Sequence, residues 1–499
     1  MYFFENKKFF FDDGFSSKNK AEFTVLNQAD NHYFCRYNID IMTDHILDKQ
    51  RFFFAGVAGA GMSAIAQYLS GSGKQVSGSD RLFNTDANDH TKAQLEAEGI
   101  HCYDQLKAQI TEQDEVLVVS TAIEDTNVEV ARAKSLHIPI ITRAQLLAQI
   151  CASKKTIAIA GTSGKSTTAA MLFHLLTQNG IDASLITGAG IVSLIKQGKI
   201  GNCHVGNSDW LIIEADESDG SLVQYKPAIG VLLSVDKDHK ELSELHEIFS
   251  IFKGNTQEHF IVNRSHALAS SYSTDAALDF GKGTPNEGHH FRQEGFNIYF
   301  DVNGVAMHLP TIGAHNMENA LACIAVARQL GLNEEQCAAA LSSYPGIYRR
   351  HQLLGTVNGI TVIDDYAHNP AKIAASIEAC KPVAGKLIAW FQPHGFAPTK
   401  FIRTELVEEI SKALRPQDEM WMSEIYYAGG TTTKDISAAD LIEDLKAKGI
   451  NAFFVADRNE LIATMKPHFT HDCILLLMGA RDPSLEQFGD KVMSSLQQK

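Results

Sequence analysis

Two glycines, a lysine and hydroxyl groups sit together in the run Thr156-Ile-Ala-Ile-Ala-Gly-Thr-Ser-Gly-Lys-Ser-Thr-Thr168. These residue types suit the binding of nucleotide phosphates. Gly161, Thr162, Ser163, Gly164, Lys165, Ser166 and Thr167 would form a cradle of backbone N–H groups at a helix N-terminus, where the helix dipole favours an anion. Lys165 adds a mobile positive charge, and the Ser166 hydroxyl can bind Mg²⁺. The spacing is a variant, because the first glycine of G-x-x-x-x-G-K-[ST] falls on Ile159. Glu214 lies near the end of the apolar run that starts at Trp210, and His239 follows the run Ile229–Val235. Oxygen ligands with one imidazole suit Mg²⁺ or Mn²⁺. Alone, Glu214 reads equally as a cap or surface acid and His239 as a hydrogen-bonded loop histidine. Their order after the cradle favours a metal site made of Ser166, Glu214 and His239, with Lys165, Glu214 and His239 as the catalytic set.

Such groups meet only if strands end together. In open parallel α/β sheets, ligands sit at the carboxyl ends of the strands. The apolar run Ile157–Ala160 reads as a strand entering the cradle, and Ala169–Leu176 as the helix leaving it. An earlier run, Arg51-Phe-Phe-Phe-Ala-Gly-Val-Ala-Gly-Ala-Gly61, is a strand entering a second glycine turn, with a helix over Met62–Leu69 and a strand over Gln75–Asp80. Asp80 stands roughly 20 positions after the last glycine, as in dinucleotide-binding folds. The glycines Gly56, Gly59 and Gly61 do not follow the strict G-x-G-x-x-G fingerprint. Alternation continues with a helix near Ala93–Glu98, a strand at Glu115–Ser120, a helix at Val128–Ser135 and a strand at Pro139–Thr142. The polar Ala152–Lys155 reads as a linker.

Beyond the cradle, a polar β-rich stretch runs to about Leu309. An apolar-periodic helix follows over Asn316–Leu330 with Gly331 as its C-cap, then a helix near Glu334–Ser342. Strands at Ile360–Asp364, Leu387–Phe391, Glu419–Met422, Ala452–Val455 and Cys473–Met478 alternate with helices. The expected class is α/β in three domains: a Rossmann-like domain over 50–150, a central P-loop domain over 151–344 and a C-terminal Rossmann-like domain over 345–499.

The 499 residues exceed one ordinary core, and 44% hydrophobic with 21% charged residues is globular composition. A net charge of −15 argues against a nucleic-acid partner, whose footprint is basic. The eight cysteines form no C-x-x-C pair, so a reducing, cytoplasmic setting is expected. No apolar run has the length of a membrane helix. Residues 1–49 form an arm rich in Phe and Tyr without a signal-peptide core. It reads either as a dispensable extension or as a clamp on the first domain.

Five motifs in fixed order resemble the Mur ligase family of ATP-dependent amide-forming enzymes. They are Gly-Val-Ala-Gly-Ala-Gly-Met-Ser (56–63), Ala-Gly-Thr-Ser-Gly-Lys-Ser-Thr-Thr (160–168), Glu-Ala-Asp-Glu-Ser-Asp (214–219), Ala-His-Asn-Met-Glu-Asn-Ala (314–320) and Asp-Asp-Tyr-Ala-His-Asn-Pro (364–370). Within the family, the set is nearest the branch that joins L-alanine to UDP-N-acetylmuramate. The resemblance implies ATP and Mg²⁺ as cofactors, and UDP-N-acetylmuramate and a free amino acid as partners. It further implies a monomer or weak homodimer and a role in peptidoglycan precursor synthesis. By the same resemblance, His315, Asn316 and Asn319 face adenine, although Asn316 also reads as a helix cap. Arg350 and Asp365 reach the nucleotide from the third domain. Gly56, Gly59, Ala60, Gly61, Met62, Ser63 and Asp80 hold the UDP-sugar, with Asp80 on the ribose or on the turn backbone. His368 and His394 lie toward the substrates. A lysine near Lys253 is carbamylated in related branches, while Phe249 and Phe252 give this helix a structural look.

The chain departs from that branch at several positions. Ser163 replaces a histidine, Asn369 replaces the second histidine after the Asp-Asp-Tyr run, and Asp236-Lys-Asp-His-Lys240 replaces an Ala-Asp-His-Met-Asp pattern. After Phe391-Gln-Pro-His394, arginines give way to Gly-Phe-Ala-Pro-Thr-Lys400, and lysine or a small residue is no equivalent of arginine's planar fork. Lys400 and Arg403 are the candidate replacements. The acceptor therefore stays open between L-alanine, another amino acid and a peptide. A non-catalytic UDP-sugar binder and a folylpolyglutamate-type ligase are the other readings.

Overall fold

The computed structural model describes residues 43–84, 89–218, 220–236, 241–427, 433–482 and 484–497. The arm over 1–42 and His239 lie outside the described residues. Three α/β domains follow one another, as expected for the fold class.

The first sheet holds β1 (Arg51–Ala55), β2 (Gln75–Asp80), β3 (Ile100–Asp104), β4 (Val116–Val119) and β5 (Ile140–Thr142), all parallel in the order β3-β2-β1-β4-β5. Its helices are α1 (Ala60–Gly71), α2 (Asp89–Ala97), α3 (Val128–Ser135) and α4 (Arg143–Ala152). The near-continuous apolar run of β1 is what a strand covered on both faces requires; Phe52, Phe53 and Phe54 are buried. Helix α4 starts from a capping box in which Thr142 and Gln145 satisfy each other's backbone. It runs to Ala152, and the next strand begins at Lys155. The expected linker therefore shrinks to Ser153 and Lys154, because capping and apolar packing at Leu146, Leu147 and Ile150 extend the helix to its edge.

The central sheet has β6 (Lys155–Ala160), β7 (Ser184–Ile186), β8 (Cys203–His204), β9 (Trp210–Ala215), β10 (Ile229–Leu232) and β11 (His259–Val262) in the order β11-β10-β6-β9-β7-β8. Only β8, at the edge, runs antiparallel to its neighbour. The helices α5 (Lys165–Gln178), α6 (Val192–Ile195) and α7 (Leu242–Asn255) accompany it. A separate antiparallel sheet, β12 (His289–Glu294), β13 (Asn297–Val302) and β14 (Val305–Leu309), precedes α8 (Ala314–Gln329) and α9 (Glu334–Leu341). Helix α8 is apolar on nearly all sides, with ten buried residues, so it packs inside the domain against α5.

The third sheet holds β15 (Gln352–Val357), β16 (Ile360–Asp365), β17 (Lys386–Gln392), β18 (Glu419–Met422), β19 (Asn451–Phe454) and β20 (Cys473–Gly479), ordered β15-β16-β20-β17-β18-β19. Helices α10 (Pro370–Cys380), α11 (Phe396–Ala413), α12 (Ala438–Ala447), α13 (Leu461–Met465) and α14 (Leu485–Gln497) surround it. Among the strands with no counterpart in the sequence reading are β3, which alternates buried and exposed residues, β7, which is only three residues long, and β15. The last differs in kind. It is an antiparallel edge strand, only partly buried, so it lacks the continuous apolar signature of its parallel neighbours.

Candidate functional site

Register brings the first chemical groups together. Strand β6 lies between β9 and β10, with Ile159 opposite Glu214 and Ala160 opposite both Ala215 and Leu232. The segments leaving these three strands therefore emerge side by side at the carboxyl edge. Gly161 has φ +134° and Gly164 φ +85°, so the turn needs glycine at both places. A Cβ on Gly161 would lie 2.9 Å from the Ser234 backbone nitrogen. The chain passes too closely there for any side chain.

The turn is braced from β10. Ser163 N donates to Ser234 Oγ at 2.9 Å, while Thr162 Oγ1 meets Ser234 Oγ at 3.1 Å and donates to Asp236 Oδ2 at 3.2 Å. Lys165 Nζ donates to Gly161 O at 2.7 Å and to Glu217 Oε2 at 2.7 Å, with Asp216 Oδ1 at 3.6 Å. Burial works to depress this ammonium, but the Glu217 and Asp216 charges outweigh it and hold the pKa above the ordinary lysine value. Burial conversely raises Glu217, against the pull of Lys165. Ser166 Oγ donates to Glu214 Oε2 at 2.9 Å, and Glu214 Oε1 accepts from Gly188 N at 2.9 Å and from Thr187 Oγ1.

Above the turn lies a cavity of about 860 Å³ between the central and third domains. It is lined by the whole run Thr162–Thr167, by His315, Asn316 and Asn319 of α8, and by Arg350 and Asp365. Asn319 links the two sides of the central domain: its Oδ1 accepts from Thr168 Oγ1 at 3.2 Å and its Nδ2 donates to Asn316 Oδ1 at 3.1 Å. Asn316 Nδ2 in turn donates to Ile312 O at 2.8 Å, bracing the loop before α8 rather than capping a free N–H. Burial drives His315 down to about 4, helped by the neighbouring His351. His315 is nevertheless exposed and lines the cavity, so the direction of this shift carries more weight than its size. The Arg350 guanidinium lies 4.9 Å from the centre of the Tyr366 ring. Asp365 accepts from His351 N at 2.9 Å and Ala367 N at 2.7 Å.

The remaining predicted residues lie outside this cavity lining. In the first domain Asp80 Oδ2 accepts from Ala58 N at 2.9 Å and its Oδ1 from Leu82 N at 2.9 Å. Of the two roles expected for Asp80, the structure therefore contains the contact with the turn backbone. Gly56 has φ +83° and donates to Ser79 O at 2.7 Å; Gly59 caps α1, while Ala60, Gly61, Met62 and Ser63 form its first turn. Asn202, from the central domain, donates to Ala60 O and Ser63 Oγ, both at 2.9 Å. His368 and His394 have ring centres 5.9 Å apart at the carboxyl edge of the third sheet. Burial pushes His368 to about 4 and lowers His394, the latter aided by the Arg481 charge. Lys400 pairs with Asp435 at 2.5 Å and Arg403 with Asp444 at 2.6 Å, so both proposed replacement cations are already engaged. Lys253 donates to Tyr272 O at 2.7 Å beside buried Phe249 and Phe252, a structural setting.

Three residues escaped the sequence reading. Asn202 and Glu217 act through contacts with residues far away in sequence. Arg143, the first residue of α4, lies against Gly61, where an added Cβ would come within 3.2 Å of its Nη1. Its charge also helps lower Asp216. Glu217 was inside a quoted motif, and its acidic run was the signal that could have found it as the lysine's partner; the other two carry no local signal.

Three family models match the chain in order: Mur ligase family, catalytic domain over residues 52–155; Mur ligase middle domain over 159–327; and Mur ligase, glutamate ligase domain over 349–481. A UDP-N-acetylmuramate–L-alanine ligase from Geotalea daltonii is 33% identical over 90% of this chain and 98% of its own length. The chain belongs to the Mur ligase family. A second relative of this Mur ligase, from Pelotomaculum thermopropionicum and with the same name, is 32% identical over 87% of this chain and 96% of its own. Among solved structures, a UDP-N-acetylmuramate–alanine ligase from Thermotoga maritima shares the fold with a TM-score of 0.75, 24% identity, and coverage of 90% of this chain and 99% of that one. A murein peptide ligase from Psychrobacter arcticus aligns with a TM-score of 0.62 and 20% identity over 90% of this chain and 99% of its own.

The site's residues fit ATP with Mg²⁺. The glycine turn offers an anion cradle that a Cβ would fill, and Lys165 supplies the cation. Ser166 Oγ and the Glu214 carboxylate, 2.9 Å apart, are the hard oxygen donors that Mg²⁺ requires.

Proposed function

We propose that this Mur ligase uses ATP to join the carboxylate of UDP-N-acetylmuramate to the amine of an amino acid, with L-alanine the favoured acceptor, in cytoplasmic peptidoglycan precursor synthesis. The convergence of Lys165, Ser166 and Glu214 at one strand edge carries the reading, together with relatives of that name spanning nearly the whole chain. The glycine turn over Gly56–Gly61 and the N-terminus of α1 would hold the UDP pyrophosphate, with Asn202 fixing that turn to the central domain.

A free carboxylate is a poor electrophile, so it must first be activated. The sugar's carboxylate oxygen forms a bond to the γ-phosphorus of ATP while the bond to the β-bridging oxygen breaks and ADP leaves. Lys165 and the amides of Gly161–Thr167 stabilise the charge that gathers between the two anions. Ser166 and Glu214 would hold one Mg²⁺ and His239 another, and these ions would neutralise phosphate charge. The acceptor amine then attacks the acyl carbon, the bond to the phosphate oxygen breaks, and inorganic phosphate leaves. The ammonium must lose a proton, and His394, at the carboxyl edge of the third sheet next to His368, is placed to receive it in this reading.

A phosphate-release screen tests this directly. UDP-N-acetylmuramate with each amino acid, and with short peptides, should give phosphate only when sugar, ATP and one acceptor class are all present. Binding of UDP-N-acetylmuramate with no turnover on any acceptor would support a nucleotide-sugar binder instead.

A further inference from the structure

The acceptor's carboxylate needs a cation at the carboxyl edge of the third sheet, and several candidates in this domain are already engaged. Lys400 and Arg403 are tied to Asp435 and Asp444, Arg349 to Asp364 at 3.0 Å, and Arg350 stacks on Tyr366. Arg481 differs. It is exposed and makes no hydrogen bond, ion pair or ring contact among the described residues.

Its position is specific. Strand β20 ends at Gly479, with Met478 opposite Asp365 and Gly479 opposite Gln392. Arg481 thus leaves the same sheet edge as the segments that carry Tyr366, His368 and His394. Its charge reaches His394, whose pKa it helps to lower after burial. Its backbone is left-handed, with φ +47°, a conformation that side chains other than glycine adopt at a cost. The residues around it are clamped. Gly479 O accepts from Arg349 Nη2 at 2.9 Å, and buried Asp482 accepts from Arg458 Nη1 at 2.5 Å and from Ser484 N at 2.9 Å. A guanidinium without a partner among the described residues therefore leaves the sheet edge that also carries His394, the edge where α/β sheets bind their ligands.

We propose that Arg481 anchors the α-carboxylate of a free amino-acid acceptor, an assignment that rests on the ligase reading above. Guanidinium and carboxylate match as a two-pronged pair. With the carboxylate held there, the amine one carbon away lies within the reach of the His394 region, and the nearby positive charge favours loss of the ammonium proton. A peptide acceptor has an amide where this carboxylate would be, so Arg481 also selects free amino acids over peptides.

The test uses the full chain with UDP-N-acetylmuramate, ATP, and L-alanine, glycine or L-serine, each compared with its carboxamide. Wild-type protein should prefer the acid to the amide by about 10- to 100-fold in kcat/KM, the range for a hydrogen bond to a charged group. Arg481→Ala should raise KM for the amino acid by a similar factor, leave KM for ATP unchanged and erase the acid preference. Arg481→Lys should keep part of it. Arg481→Gly relieves the left-handed backbone, so it should fold at least as stably as wild type and still lose the preference. Retention of the full acid preference in Arg481→Gly overturns the proposal. Wild-type turnover with peptides but with no amino acid overturns it while leaving the ligase reading intact. Absence of phosphate release with every acceptor overturns both.

Discussion

Substituting Lys165 by methionine removes one ammonium from a pocket that holds two carboxylates. Glu217 is only 4% exposed and rests 2.7 Å from Lys165 Nζ, so the variant leaves a buried carboxylate without its cation. Orphaning one member of a buried pair costs about 3–5 kcal/mol. The Lys165 side chain is 15% exposed toward the cavity, and water there lowers the expected loss to about 2–4 kcal/mol. Burial already raises Glu217, and without Lys165 its pKa rises further. The sign follows: a raised carboxylate is best tolerated when protonated, so the stability deficit should shrink as pH falls toward and below its folded pKa. Urea denaturation of wild type and Lys165→Met at several pH values measures this. Adding Glu217→Gln to Lys165→Met removes the orphaned charge and should restore most of the stability, while phosphate release stays at least about a hundredfold below wild type. A single variant as stable as wild type, or a double variant no more stable than the single one, would refute the buried-pair argument. Normal turnover in either would refute the phosphate site.

Other perturbations probe the remaining parts. Glu214→Gln, Ser166→Ala and His239→Ala should each raise the Mg²⁺ concentration for half-maximal activity by at least about tenfold, and an unchanged Mg²⁺ titration removes that residue from the metal site. Gly164→Ala forces a side chain into a left-handed turn and brings its Cβ within 2.7 Å of Asn319 Oδ1. It should cost about 1–2 kcal/mol and weaken binding of a non-hydrolysable ATP analogue, and calorimetry showing wild-type affinity would mean that this turn does not hold the phosphates. His368 is pushed to about 4 from an ordinary value near 6.5. Its neutral form is favoured in the folded protein, so the stability it contributes is present above about pH 6.5 and is lost as pH falls toward 4. Between pH 7 and 5 this amounts to roughly 1–2 kcal/mol, which His368→Gln should remove from the pH dependence of the urea midpoint.

Much of this was legible in the chain itself. The cradle was readable because its function depends on local order: an apolar strand, two glycines, a lysine and a helix, each next to the other. The same locality made many of the parallel strands visible as short apolar runs, though not β3, whose burial alternates, or the three-residue β7. What escaped was decided across the sheets. Strand β15, half-exposed and antiparallel, carries no such run. Arg143, Asn202 and Glu217 matter through partners on other elements. Lys400 and Arg403 had the right charge for the acceptor, yet Asp435 and Asp444 from elsewhere in the domain hold them.

Sequence alone determined the chemistry on offer: a candidate phosphate cradle at Lys165, an acid at Glu214 with an imidazole at His239 after a later strand, and a third α/β unit after Tyr348. Those features follow from residue type and spacing, which backbone sterics and burial turn into strands, turns and helices without reference to distant parts of the chain. Tertiary structure decided which of these groups meet. Parallel register sets Glu214 beside Ser166, the packing of α8 against α5 sets Asn319 beside the cradle, and the end of β20 brings Arg481 to the sheet edge that carries His394, without a partner among the described residues. Pairing is a property of distance between side chains, and only the folded chain fixes that.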